Sequence, residues 1–189
     1  MASQYDPEHA PAGDVGAALL MIDSRLKGIH DGKTGTDPEQ QALIEQYASS
    51  LGPSEADDLL DGACTLIYMF MMWLRRAHED HGKDVIEYVV PNLVATMRMM
   101  PRSVRPEAIP TMAGLVIAAG TGLSPNLWRK QYGDWTEAEM NPLEATAFLL
   151  AEYINRMTGD PDFATRMITD VLAGAEEAKE AEEAEGDGS

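Results

Sequence analysis

Cysteine and positive charge are what this sequence of 189 residues is short of. Its single thiol, Cys64, leaves no internal disulfide to form, so a buried core has to hold the chain together. Because Cys64 lies inside an apolar run, it reads as a small buried hydrophobe, and a cysteine kept reduced fits the cytoplasm. Fourteen lysines and arginines face 32 aspartates and glutamates, a formal charge of −18. Such a chain is repelled by phosphate backbones and anionic lipid, which argues against nucleic acid and membrane as partners.

Other absences narrow the reading further. Aromatic residues make up only 6% of the chain. No glycine-rich phosphate loop and no paired-glutamate helix motif occurs, and "GTGLS" before Pro125 is too short for a phosphate cradle and lacks its lysine. Ser50, Ser54, Ser103 and Ser124 read as caps or loop residues, so no catalytic residue is assigned and an enzyme is unsupported. The first residues, "MASQYDPEHAPAGD", have neither the positive region nor the apolar stretch of a secretory leader, so a cytoplasmic protein is expected.

What is present is helical periodicity. Val15, Leu19, Ile22, Leu26 and Ile29 step by four and three, with Asp14 placed to cap the first turn. Asp37–Pro38 opens a second helix through Leu51, and Ser54 opens a third running to His81, where Gly82 supplies a stop. A fourth spans Asp84 to Met100, with Pro91 as a kink or break. Residues 111–119 fit helix or strand by composition, and the helical context favours helix. Ser124–Pro125 starts a short turn of helix, Thr136 and Glu139 have capping-box spacing, and Asn141–Pro142 restarts the chain for a helix ending at Gly159. Asp160–Pro161 begins the last helix, whose apolar stripe stops at Gly174.

These spacings predict an all-α fold: one bundle of about six to eight helices around a central apolar helix. Residues 1–13 read as a flexible arm, residues 14–174 as the helical domain, and residues 175–189 as a frayed or disordered acidic tail with seven acids and one lysine. The central helix is assigned to "ACTLIYMFMMWL", residues 63–74. Those twelve positions are too few to span a bilayer, which needs about twenty, so the run belongs in a core. Met69, Met71 and Met72 here, with Met97, Met99 and Met100 on the next helix, read either as gap-filling core residues or as an adaptable groove.

Three groups are candidate sites. His78 and His81, one turn apart with Glu79, Asp80 and Asp84 close by, make half of a divalent-metal site, or else two partial cations at a helix C-terminus. No other cofactor is implied. No lysine or arginine occurs from Gly35 to Leu74, whereas Arg75, Arg76, Lys83, Arg98, Arg102, Arg105, Arg129 and Lys130 fall between residues 75 and 130, where Arg76, Arg98, Arg102 and Arg105 converge on an anion or an acidic partner, or else pair with surplus carboxylates. Trp128, Tyr132 and Trp135 serve as an interface anchor or as a lid on a satellite core. Acid pairs such as Asp57 and Asp61 read as a solvated face.

The function expected from these features is that of a non-enzymatic adaptor or regulatory protein. It binds a protein partner, or a second copy of itself, through a face near residues 97–135, with Arg98, Arg102, Arg105, Trp128, Arg129 and Trp135 as contact residues. The alternatives are a small-ligand or metal-binding bundle and an acidic mimic of nucleic acid.

Overall fold

The structure, a computed structural model, describes residues 10–30 and 53–186. Among the described residues it is all-helical, with no strand: α1 (Ala12–His30), α2 (Pro53–Glu79), α3 (Val85–Arg98), a 3-10 turn (Pro106–Ala108), α4 (Ile109–Gly120), α5 (Pro125–Lys130), α6 (Glu137–Thr158) and α7 (Phe163–Gly186). The expected helix from Pro38 to Leu51, the side chains of His9, His30 and Ser54, and most of the N-terminal arm lie outside what is described. Among the described residues no helix is long and apolar enough to cross a membrane.

Local chemistry sets most helix boundaries. The Asp84 carboxylate accepts the Ile86 N–H at 2.8 Å and starts α3, and Gly159, at φ 69°, ends α6 in the left-handed conformation that a Cβ disfavours. Thr136 and Glu139 form the anticipated capping box. Two boundaries differ from expectation. Pro142 does not restart the chain: α6 runs unbroken from Glu137, and the proline costs only the bond its missing N–H would have made to the Ala138 carbonyl, where Ala138 is exposed to water. Asp14 sits inside the first turn of α1 rather than before it, because the Pro11 carbonyl accepts the N–H groups of Asp14 and Val15. Pro91 likewise leaves α3 continuous, and residues 109–120 are helix.

Helix α2 packs on each of the other six. Its Cys64, Leu66, Ile67, Phe70, Met71 and Leu74 are fully buried. Beside it lies α6, where every side chain from Ala145 to Ala151 is buried. The crossing of α1 over α2 is close enough to need Gly62, since a Cβ there would lie 2.4 Å from the Asp14 carbonyl oxygen. Asn155 joins α6 to α7, donating to the Pro161 carbonyl at 2.6 Å and accepting the Ala164 N–H at 2.8 Å. Residues 175–186 continue α7, and the described side chains from Ala173 to Glu185 are all exposed.

Candidate functional site

Helix α3 ends at Arg98, and the chain then coils through the turn at residues 101–104 toward α4. Backbone bonds hold this turn: Met100 N–H to the Met97 carbonyl, and Ser103 and Val104 N–H to the Met100 carbonyl at 3.0 and 2.8 Å. Val104, 1% exposed, anchors it in the core. With Val104 turned inward, Arg98, Met99, Arg102 and Arg105 all stand exposed, Met99 at 83%.

The arginines of this connector differ from most others in the chain. Arg25, Arg75, Arg129, Arg156 and Arg166 are ion-paired with Glu144, Glu79, Glu139, Glu152 and Asp160 respectively. Among the described residues no carboxylate pairs with Arg98, Arg102 or Arg105, although the chain holds 32 acids. Arg76 is also exposed, and no described contact joins it to the other three. The connector thus exposes three arginines and, next to Arg98, the apolar side chain of Met99.

Arg129, read from the sequence as a contact residue, differs from these three in its surroundings. It is buried, donating from Nη1 and Nη2 to the two Glu139 carboxylate oxygens at 2.9 and 2.7 Å and from Nη2 to the Asp134 carbonyl at 2.6 Å. Its guanidinium stacks on the Trp135 ring, 4.3 Å from the centroid. Both therefore close the loop between α5 and α6 and leave no guanidinium for a partner to reach. Desolvation pushes the Glu139 carboxyl up, but the bonds from Arg129 and the Thr136 N–H outweigh it and hold the group below the usual glutamate range. Trp128 packs over Gly114, where a Cβ would meet its ring at 2.8 Å, and stacks on the exposed Tyr132 with centroids 4.5 Å apart. No described hydrogen bond, ion pair or ring contact links these residues to Arg98, Arg102 or Arg105.

A second polar group lies next to this one. The Thr65 hydroxyl accepts the Ala10 N–H at 2.9 Å and the Asn126 amide at 3.2 Å, and donates to the Asp61 carbonyl. Asn126 Oδ1 and Arg129 Nε are buried without a partner. Asp61 is not part of a solvated face. It is half-buried, and its carboxyl is pushed up by that burial and by Asp57, Asp58 and Asp14, against the pull of Lys130. Burial and Asp58 raise Asp14 in the same way. The close crossing at Gly62 brings Asp14 up to the acids of α2.

His78 is buried, with Nδ1 2.7 Å from the Leu74 carbonyl and its ring 5.9 Å from that of Tyr88, while His81 is exposed. Among the described residues no group of three or more histidine, cysteine, aspartate or glutamate side chains is arranged to hold a metal ion. Burial drives the Cys64 thiol far above its ordinary value, so it is not a thiolate nucleophile. An open cleft of about 530 Å³, lined by Arg75, Glu79, Lys83, Asp84, Ile86 and Thr121, lies where α2, α3 and α4 meet. No protein-family model, curated protein or solved structure matches this chain.

Proposed function

We propose that this chain is a cytoplasmic, non-enzymatic interaction protein that binds an acidic protein segment on the connector carrying Arg98, Met99, Arg102 and Arg105. One observation carries this reading: three exposed arginines that no carboxylate pairs with among the described residues stand within eight residues, with an exposed methionine beside the first, in a protein of charge −18. An exposed arginine gains little from a single surface pair, but three on one short connector, with an apolar side chain beside them, can grip a carboxylate-bearing helix or strand. The net acidic surface restricts the choice, because an acidic segment is repelled by most of it.

The test is fluorescence anisotropy with a glutamate-rich peptide. The intact protein should bind it and R102E/R105E should not, with binding weakening as salt rises. Equal affinity for protein and variant would sink the proposal. A second reading, a small-ligand carrier, draws on the cleft beside Arg75, whose volume falls in the range of ligand pockets. Native mass spectrometry of the purified protein separates the two, since a carried organic molecule would add mass that is lost on denaturation.

A further inference from the structure

Helices α1 and α7 run antiparallel. The Thr165 hydroxyl donates to Asp23 at 2.8 Å, and seven residues further along α7 Leu172 lies against Gly16. At this register α1, which begins at Ala12, has ended by about Glu177. The remaining stretch of α7, to Gly186, projects about 15 Å beyond it with its described side chains exposed. This projection is alanine and glutamate. Lys179 pairs with Glu183 at 3.8 Å, and among the described residues Glu176, Glu177, Glu180, Glu182 and Glu185 have no ion pair. A helix with nothing to bury and like charges at Glu176 and Glu180, four apart, is weak on its own.

The same chain therefore carries an unmatched acidic helix and an unmatched cationic connector. The two are exposed and opposite in charge: Glu176 and Glu180 lie one turn apart on α7, and Arg98, Arg102 and Arg105 fall at the end of α3 and in the turn after it. No described contact joins the two within one molecule. Building on the reading of the connector as a contact face, we propose that its acidic partner is a second copy: the α7 projection of one molecule docks on Arg98, Met99, Arg102 and Arg105 of another. Repulsion between the two acidic bodies is screened beyond about 8 Å at physiological salt, so contact-range complementarity decides. The association should accordingly be weak and lost at high salt.

The experiment is sedimentation velocity on the full-length chain in three forms: unchanged, R98E/R102E/R105E, and E176Q/E177Q/E180Q/E182Q/E185Q. All the substituted side chains are exposed, and circular dichroism checks that each form keeps its helix content. The unchanged chain should self-associate, and each variant alone should weaken this at least about tenfold. An equimolar mixture of the two variants should recover association, because one supplies arginines and the other glutamates. A monomeric unchanged chain, variants that still associate, or a mixture that stays monomeric would each overturn the proposal. The glutamate-rich peptide separates the two readings. If it binds the unchanged chain and not R98E/R102E/R105E while the chain stays monomeric, self-docking alone falls; if it does not bind either, the contact face falls with it.

Discussion

Arg129 and Glu139, ten residues apart in sequence, meet through two parallel N–H···O bonds of 2.9 and 2.7 Å, with side chains 7% and 16% exposed. This fork ties α5 to the first turn of α6, and Glu139 also accepts the Thr136 N–H at 3.0 Å. One carboxylate thus closes both an ion pair and a helix cap.

Removing that carboxylate leaves Arg129 buried and uncompensated. E139A should cost about 2–4 kcal/mol in urea unfolding. A loss below about 1 kcal/mol would mean that the loop rearranges and lets water reach the guanidinium. The pH dependence has a definite sign. Because the folded carboxyl sits below its unfolded value, its contribution is complete above the unfolded glutamate pKa of about 4.3 and is lost as pH falls through the lower folded value. The stability difference between the parent and E139Q should shrink over that acid range.

Asp61 behaves in the opposite sense. Its folded carboxyl is raised, so it opposes folding wherever it is charged and does so least below the unfolded aspartate pKa of about 3.9. D61N should stabilise the protein at neutral pH by a few tenths of a kcal/mol, a modest gain because half-exposure screens the repulsion, and the gain should fade in acid. Thermal melts at neutral and acid pH read this directly. A destabilised D61N at neutral pH would contradict the assignment.

Adjacent glycines provide a matched pair. G62A places a Cβ 2.4 Å from the Asp14 carbonyl oxygen, which is backbone and cannot step aside, and should cost about 1–3 kcal/mol or more. At Gly13 an added Cβ meets nothing within 4 Å, so G13A should be neutral or stabilising by up to about 1 kcal/mol. Equal effects from the two would rule out the close crossing of α1 and α2.

Met97 and Met99 are two residues apart, one fully buried and the other 83% exposed. M97A should cost about 2–5 kcal/mol through the cavity it leaves, whereas M99Q should stay within about 0.5 kcal/mol in stability while weakening binding of an acidic peptide. A large stability loss in M99Q would place that side chain in the core.

Deleting residues 175–189 should leave the unfolding transition unchanged, since the described side chains there bury nothing. A fall in the transition temperature would show that the segment packs on the body.

How much could be read in advance depends on how local the responsible physics is. The apolar spacing of α1, the cap at Asp84, the capping box of Thr136 and Glu139 and the stop at Gly159 all involve residues within a few positions of each other. Pro142 does not break its helix, because a missing N–H near a helix start costs little where water can take the freed carbonyl. On α6 the sequence shows the stripe Leu143, Ala147, Leu150, Ile154 and Met157, stepping by four and three; its first four members are buried and Met157 is exposed, while the burial of every side chain from Ala145 to Ala151 goes beyond one stripe.

The sequence by itself determined an acidic, helical chain: local hydrogen bonding and a 3.6-residue apolar period suffice for that, whatever the packing. Only the tertiary structure decided which charges meet. Ion pairing depends on where helices cross, so no spacing rule could tell that Arg129 is buried on Glu139 and Trp135 while Arg98, Arg102 and Arg105 stand apart from every described carboxylate. The same crossing, set at Gly62, adds Asp14 to the acids Asp57, Asp58 and Asp61 that one turn of α2 already brings together, and leaves Asp61 half-buried.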